Sequence, residues 1–248
     1  MLTVILTRPL GQNNVLAECI QAAGHQAIEM PWLRIENSWN DSECLKWWEH
    51  EASKKSACVF VSSAAVRAAL SVNVVWPRGV WAIATGADTA LALKEKGVPT
   101  EWIRYPSKQF DSEGVWKECR ECFSPNTAIV IFRGQIGRSW LGDQAIQAGC
   151  QVEYKAVYHR LPCIEIVPSM MAQWNQGKIG ALVLTNSEAI DAIGEKLPFD
   201  LWARVPVFVP HFRIKATAQK YGAQNLILTE GGNKGLCEAL ELWLRSYC

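Results

Sequence analysis

The sequence predicts an α/β protein whose parallel strands are divided between two similar domains. Two observations support this prediction: short apolar runs alternate with segments of helical periodicity, and the order of these units repeats along the chain. The 248 residues suffice for one or two domains with sizeable cores. A composition of 49% hydrophobic and 20% charged residues is ordinary for a globular protein.

Seven short apolar runs have the composition of buried parallel strands. In chain order they are VILT, CVFVSS, WAIATG, AIVIF, ALVLTN, VFVP and LILT. Each of the first six is followed by apolar residues at helical spacing, which is the alternation that builds a parallel α/β sheet. Two of the helical segments end in LKEKG and AQKYG, with a lysine in the last turn and a glycine after it, as helices commonly end.

Three of these units occur twice, in the same order. TRPLGQNNVLAECIQAAGHQAIEM is similar to FRGQIGRSWLGDQAIQAGCQVEYK, which aligns Arg8 with Arg133 and Gly24 with Gly149. FVSSAAVRAAL is similar to VLTNSEAIDAI, and AIATGADTALALKEKGV to FVPHFRIKATAQKYGA. Each similarity is weak, but the shared order favours two similar domains over one large sheet.

The charge balance and the apolar runs exclude several classes of protein. The chain carries 25 basic and 24 acidic residues, so a surface that coats nucleic acid is not expected. No apolar run approaches the roughly 20 residues of a membrane span. The N-terminal MLTVILTRPL lacks the basic start and small-residue cleavage site of a signal peptide and is predicted to be a strand. We therefore expect a cytoplasmic protein.

The nine cysteines are mostly scattered singly, which fits reduced cytosolic thiols. Cys119 and Cys122 have C-x-x-C spacing, but no second pair of Cys or His lies near them in sequence, as a zinc site would require. They also end a helical segment, whereas a redox pair would begin one. The four histidines lack metal-ligand spacing, so no metal is expected. Among the twelve tryptophans, Trp47, Trp48, Trp76 and Trp81 are interpreted as domain packing.

The carboxyl ends of the predicted strands carry small, hydroxylated or cationic residues, and ligands bind at these ends in open parallel sheets. The residues there are Thr7, Arg8, Pro9, Ser62, Ser63, Thr85, Gly86, Arg133, Gly134, Thr185, Asn186, Ser187, Pro210 and His211. Each hydroxyl alone is explained by capping of the helix that follows. Together they also suit anion binding at helix N-termini. Motifs for a phosphate loop, a dinucleotide site or a hydrolase nucleophile are absent from the sequence.

The sequence resembles uroporphyrinogen-III synthases over nearly its whole length. The motifs are TRP at 7–9, FVSSAAV at 60–66, ATGADTA at 84–90, SEGV at 112–115, RGQIGRSWL at 133–141, VYHR at 157–160, LTNSEAI at 184–190 and RIKATAQKYG at 213–222. Two positions depart from the family pattern. His211 stands where a serine is usual, and the turn after the second strand reads VSS where threonine-serine is commoner.

The resemblance implies two flavodoxin-like domains joined by a two-stranded antiparallel linker. It places residues 1–32 with 167–248 in one domain and 37–154 in the other. Residues 33–36 and 155–166 would form the linker, with its strands at LRIEN and AVYHRL. This arrangement replaces the split near Pro125 that a linear duplication would give.

The resemblance also implies a reaction. The family cyclises hydroxymethylbilane, an open chain of four pyrroles with eight carboxylates, in haem and sirohaem synthesis. The last pyrrole is inverted, water is lost, and no cofactor takes part. Tyr158 matches the family's best catalytic candidate, and Thr89 matches another family position. Both also have plain structural explanations: Tyr158 as a packed linker-strand ring, and Thr89 as a first-turn helix residue.

The substrate's carboxylates call for cations and backbone N–H donors, and glycine lets a ligand approach the backbone closely. The expected substrate-binding residues are Arg8, Ser62, Ser63, Gly86, Arg133, Gly134, Arg138, Thr185, Asn186 and Ser187. We expect a monomer that receives its substrate through at most transient contact with the preceding pathway enzyme, without nucleic-acid or membrane partners. The alternatives are a bilobed module that binds an anionic ligand without chemistry, and a synthase paralogue that has lost catalysis.

Overall fold

The computed structural model describes residues 1–247, apart from the side chain of Tyr247. The chain divides into two compact units. Unit 1 combines Met1–Arg34 with the segment that starts at Leu161, and unit 2 is the continuous segment Ile35–Arg160. The chain therefore leaves unit 1 early, completes unit 2, and then returns to unit 1.

The described residues contain eleven strands and eleven α-helices. The strands are β1 (Thr3–Leu6), β2 (Gln26–Glu29), β3 (Leu33–Asn37), β4 (Ala57–Phe60), β5 (Trp81–Ala84), β6 (Ile103–Arg104), β7 (Ala128–Gly134), β8 (Gln151–Pro162), β9 (Ile179–Val183), β10 (Val207–Val209) and β11 (Leu226–Leu228). The helices are α1 (Asn14–Ala22), α2 (Asp41–His50), α3 (Ser63–Ala69), α4 (Ala87–Glu95), α5 (Ser112–Glu118), α6 (Trp140–Gln147), α7 (Val167–Asn175), α8 (Ser187–Ile193), α9 (Phe199–Arg204), α10 (Phe212–Lys220) and α11 (Gly232–Leu244).

The two sheets share one strand order. Unit 1 has the order β11-β10-β9-β1-β2, and the second sheet has the order β3-β8-β7-β4-β5-β6. With β3 set aside, each sheet has five strands in the flavodoxin-like arrangement, in which the order reverses beside the central strand. β1 and β7 hold equivalent places, as do β9 and β4. This is the pairing that the internal repeat predicts, and the predicted α/β fold class is confirmed.

All seven apolar runs predicted to be strands are strands in the structure, and the first six precede α-helices as predicted. The four residues of β1 and the four of β4 are all buried, as expected for strands covered on both faces. β8 is longer than the linker strand expected from the resemblance. Its first half is a parallel neighbour of β7, starting at the pair Ala128 and Gln151.

Unit 2 has an aromatic core, and the interpretation of Trp47, Trp48, Trp76 and Trp81 as packing residues is confirmed. Trp47, Trp48 and Trp76 are buried, and Trp48 stacks on Phe132 with ring centroids 5.8 Å apart. Trp81 is partly buried and packs against a second apolar cluster of the unit, with the guanidinium of Arg104 4.2 Å from its ring centroid. No helix among residues 1–247 has both the length and the apolar character of a membrane span.

Candidate functional site

The strand order reverses between β7 and β4 in unit 2, and a hydrogen-bonded group of side chains lies at the carboxyl ends of these strands. The pairing of β7 with β8 shifts register there: Arg133 is opposite Ala156, but Gly134 is opposite Tyr158. One residue of β8 is therefore left over at this point, as in a bulge, and bulges commonly re-aim side chains. The shift places the Tyr158 ring beside the end of β7.

Gly134 leaves the space that the Tyr158 ring occupies. A Cβ on Gly134 would lie 2.9 Å from Cε2 of Tyr158 and 3.0 Å from Cζ, closer than real Cβ atoms approach a neighbour. The resemblance gives this glycine a role in substrate approach. In the structure, its missing side chain admits Tyr158.

The Tyr158 hydroxyl connects two further side chains. Its oxygen lies 3.2 Å from Oγ of Ser62, which follows β4, and it accepts a hydrogen bond of 2.9 Å from Nη2 of Arg160. Tyr158 is 0% exposed, whereas Ser62 and Arg160 are half-buried. Oγ of Ser62 also accepts from the backbone N–H of Ala65, so Ser62 caps α3 as well. The three side chains form one network across the reversal point.

Thr89, the second catalytic candidate, lies apart from this network. It is buried in the first turn of α4, and among the described residues it makes no hydrogen bond to Tyr158 or Ser62. Gly86 precedes α4 as its cap residue, and a Cβ there would meet Cβ of Phe110 at 3.1 Å. Ser63 connects the two helices, because its hydroxyl donates to the carbonyl of Asp88 over 3.3 Å.

The two arginines of the glycine-rich loop after β7 are engaged by the protein itself. Arg133 donates to the carbonyl oxygens of Gly137, Arg138 and Gly134, so its guanidinium holds the loop closed. Arg138 forms a bidentate pair with Glu113, with distances of 2.7 and 3.0 Å. The hydrogen bonds from Arg138 hold the pKa of the Glu113 carboxyl below its ordinary value.

The equivalent position in unit 1 is organised by Arg8, which follows β1. Its Nε lies 3.3 Å from Oγ1 of Thr185, which follows β9, and its Nη1 donates to Oδ1 of Asn233 over 2.5 Å. Asn186 caps α8 by accepting from the backbone N–H of Glu188 over 2.8 Å. The Oγ atom of Ser187 is buried and has no hydrogen-bond partner in the described part of the chain. Arg8 thus bridges the strands on either side of the reversal.

Both positions that depart from the family pattern contain a helix-capping residue in this chain. His211 is the cap residue of α10, and its Nδ1 accepts from the backbone N–H of Arg213 over 3.1 Å. A serine oxygen could take the same role. In the VSS turn, the first serine is Ser62, which both caps α3 and meets Tyr158.

The C-x-x-C pair is buried in the core of unit 2. Burial is the largest cause that raises the pKa of Cys119 to about 11 and that of Cys122 to about 12, so both remain thiols near neutral pH. Across residues 1–247, no three His, Cys, Asp or Glu side chains are grouped so that they could hold a metal ion.

Sequence reasoning assigned no role to Arg160, Glu113 or Asn233. For Arg160 a signal was available, because residues two apart on a strand share a face and Arg160 follows Tyr158 by two. Glu113 stands in the SEGV motif, but nothing in the sequence indicates that it pairs with Arg138. The contact between Asn233 and Arg8 joins positions 225 residues apart, so only the fold reveals it.

Fold and site together define a flavodoxin-like α/β protein of two units, each with a polar group where its strand order reverses. The family model described as Uroporphyrinogen-III synthase HemD matches residues 14–236. The chain therefore belongs to the uroporphyrinogen-III synthase family, which acts in porphyrin biosynthesis.

Solved structures agree at the level of the fold. A mutant uroporphyrinogen III synthase from Thermus thermophilus has a TM-score of 0.62 at 15% identity, and the match covers 99% of this chain and 100% of that one. The uroporphyrinogen-III synthetase of Helicobacter pylori has a TM-score of 0.59 at 13% identity, with the same coverage of both chains.

Proposed function

We propose that this chain is a uroporphyrinogen-III synthase that cyclises hydroxymethylbilane with inversion of the last pyrrole ring and loss of water. The observation that carries the proposal is the Tyr158–Ser62 contact at the reversal point of unit 2. It supplies a phenolic proton at a position where parallel sheets bind ligands. We propose further that the reaction needs no cofactor or metal.

The first chemical step needs a proton donor. The terminal hydroxyl of the bilane must leave as water, and a positioned acid helps this departure. A phenolic hydroxyl is a hydrogen-bond donor and can supply such a proton. Because Tyr158 is fully buried, we assign delivery of the proton to the half-buried Ser62 hydroxyl, which then takes the phenolic proton of Tyr158.

The C–O bond breaks as this proton reaches the departing oxygen, and its electron pair leaves with the water, so the first pyrrole becomes an azafulvenium cation. The substituted carbon of the last pyrrole then attacks this cation and gives a spirocyclic intermediate. The original bond from that carbon to its bridging methylene breaks, and the methylene rejoins the pyrrole at the unsubstituted carbon, which loses its proton. The proton released when the final ring forms returns to Tyr158, so the enzyme ends unchanged. Since the unsubstituted carbon is the easier target, the larger contribution of the protein is to fold the bilane and exclude the wrong closure.

The substrate's eight carboxylates are assigned to cations and to helix N-termini. Arg8, Arg133 and Arg138 already donate to protein acceptors, so a carboxylate exchanges with an existing partner, such as Glu113 for Arg138. The small residues at the strand ends would supply the rest of this surface: Ser62, Ser63, Gly86, Gly134, Thr185, Asn186 and Ser187. Thr89 is assigned to the lining of the same site.

The cellular location, oligomeric state and domain limits of the enzyme are also proposed. We propose a cytoplasmic monomer with a small-molecule substrate, contacting the preceding pathway enzyme at most transiently. We also propose that the linker lies where the chain passes between units, with domains at 1–32 plus 167–248 and at 37–154.

The deciding experiment supplies freshly prepared hydroxymethylbilane and separates the I and III product isomers after oxidation. An active synthase gives the III isomer. A binding module or an inactive paralogue leaves only the I isomer that forms without catalysis. Tyr158→Phe, which keeps the ring and its packing, should lower kcat by about 10²-fold. A turnover within about twofold of the unsubstituted protein would remove Tyr158 from the mechanism.

A further inference from the structure

Arg160 contacts Tyr158, the proposed source of the proton that Ser62 delivers. The sequence alone assigns no role to Arg160. Its Nη2 donates to the Tyr158 oxygen over 2.9 Å, and its Cζ lies 5.3 Å from the centroid of the Tyr158 ring. Both residues are on β8, two positions apart, so they share one face of the strand. The guanidinium therefore makes a hydrogen bond to the phenolic oxygen and also lies close to the ring.

We infer that Arg160 is a positioning residue that directs the phenolic proton of Tyr158 toward Ser62. The inference rests on the proposed function. A guanidinium has no lone pair to offer, so Arg160 can only donate to the phenolic oxygen. The phenolic proton must then point to another acceptor, and the acceptor in contact is Oγ of Ser62 at 3.2 Å.

The positive charge has a second consequence for the same step. When Ser62 gives its proton to the departing hydroxyl and takes one from Tyr158, the phenol oxygen becomes negative. The guanidinium of Arg160 is a cation and is already hydrogen-bonded to that oxygen. A charge that develops next to a fixed donor inside the protein is stabilised more strongly than one in water. The neutral phenol of the ground state is stabilised less by Arg160 than the negative oxygen of the transition state. Loss of Arg160 should therefore lower kcat.

A rival role for Arg160 is direct contact with a substrate carboxylate. The two roles differ in kinetics. A carboxylate contact is made equally in the ground state and the transition state, so its loss raises KM. A residue that acts through Tyr158 changes kcat and loses its effect when the phenol is absent.

The test combines four variants with one matched control. Arg160→Met removes charge and donors, Arg160→Lys keeps the charge, Tyr158→Phe removes the hydroxyl, and a double variant combines Arg160→Met with Tyr158→Phe. Arg67→Met is the control, because Arg67 is an exposed residue of the same unit outside the site. Rates of III-isomer formation are measured with hydroxymethylbilane, and thermal unfolding checks that each variant is folded.

We expect Arg160→Met to lower kcat at least about 10-fold with KM within about twofold, and Arg160→Lys to be intermediate. The kcat of the double variant should lie within about twofold of the kcat of Tyr158→Phe alone. Fully additive losses, or a raised KM with unchanged kcat, would overturn the inference in favour of a carboxylate contact. If Arg160→Met does not fold, the same comparison is made with Arg160→Lys.

A second measurement is independent of activity. In protein labelled at tyrosine ¹³Cζ, the Tyr158 resonance is identified by its loss in Tyr158→Phe. We expect this resonance to move in Arg160→Met and in Ser62→Ala and to stay in place in Arg67→Met. An unmoved resonance in Arg160→Met would overturn the inference even in an active enzyme. If the unsubstituted protein forms no III isomer, the proposed function is wrong. The resonance measurement would still show whether Arg160 contacts Tyr158.

Discussion

Gly134 and Tyr158 lie opposite each other on paired strands, and the ring of Tyr158 fills the space where a Gly134 side chain would stand. This relationship makes the position of the proposed proton donor dependent on a residue that has no side chain. The ring touches Gly134 on one side, and its hydroxyl meets Ser62 and Arg160 beyond. A Cβ added at Gly134 would press on the Tyr158 ring and its hydroxyl, so the structure around the ring must shift.

Gly134→Ala should therefore lower activity and stability together. The new Cβ would lie 2.9 Å from the Tyr158 ring, and overpacking of this kind costs about 1–3 kcal/mol. We expect kcat to fall at least about tenfold, because small misplacements of a reacting group are costly. Urea unfolding and the isomer assay measure the two effects. Gly231→Ala is the control, since Gly231 has a φ of −69° and open space around it. Unchanged kinetics in Gly134→Ala would contradict the assigned position of Tyr158.

Arg138→Ala tests whether the Glu113 pair is exchanged for a substrate carboxylate. We expect KM to rise more than kcat falls, and the effect to shrink with added salt, because exposed charges are screened over about 10 Å at 0.1 M. Glu113→Gln is the matched variant, which removes the internal partner and keeps the cation. It should leave KM unchanged or lower it. Equal increases of KM in both variants would show that the pair only shapes the loop.

The Glu113–Arg138 pair should also have a pH signature in stability. The pKa of Glu113 is lowered in the folded protein by its hydrogen bonds to Arg138. The stabilisation is therefore fully present above the ordinary carboxyl pKa of about 4.3, and it is lost as pH falls through the lowered value. Because both side chains are partly exposed, we expect Glu113→Gln to cost only about 0.2–1 kcal/mol at pH 7. Urea unfolding at pH 7 and at the lowest pH where both proteins fold measures the difference. The loss of stability caused by Glu113→Gln should be smaller at the lower pH than at pH 7. The control Glu49→Gln, at an exposed position, should cause no such loss.

The C-x-x-C pair should behave as packed thiols. Burial raises the pKa of Cys119 to about 11 and of Cys122 to about 12, so little thiolate exists at pH 8. We expect native-state alkylation at both residues to be at least about tenfold slower than at the half-buried Cys237, as followed by mass spectrometry. Unfolding should abolish the difference. Protection of the pair that appears only after zinc is added would instead indicate a metal site.

His211 should be replaceable by the serine usual in the family but not by alanine. Its ring nitrogen accepts the backbone N–H of Arg213 at the start of α10. Loss of such a cap costs about 0.5–2 kcal/mol, so His211→Ala should lower the free energy of unfolding by that amount while His211→Ser stays close to the original. Similar losses in both variants would point to packing of the imidazole on Phe212, whose ring centroid is 4.4 Å away.

Buried strands were predictable from the sequence, because short apolar runs are typical of strands covered on both faces. β2 and β6 were not predicted, since QAIE is mostly exposed or half-buried and β6 has only two residues. The internal repeat indicated how the strands correspond, and the shared order of the two sheets agrees with it. The register shift that brings Tyr158 opposite Gly134 has no mark in the sequence, because it depends on how β7 and β8 pair.

The sequence yields a set of candidate site residues, whose role in binding substrate stays a prediction, but it does not indicate the contacts that these residues make. Arg133 and Arg138 were expected to present their cations to a ligand. In the structure, Arg133 turns back to the carbonyls of its own loop, and Arg138 pairs with Glu113. Which acceptor a long side chain reaches depends on loop geometry, which residue types alone do not define.

The division of the chain has a consequence for the order of synthesis. Unit 2 is one uninterrupted segment that is complete at Arg160, whereas the sheet of unit 1 joins β1, made first, to β9, made after residue 178. During translation, unit 2 can fold as it emerges, because domains generally fold as units in the order in which they are made. β1 and α1 must meanwhile wait with only β2 beside them, because β9 and α11 are made later, so nascent chains halted before β9 would expose the apolar faces of β1 and α1 to chaperones.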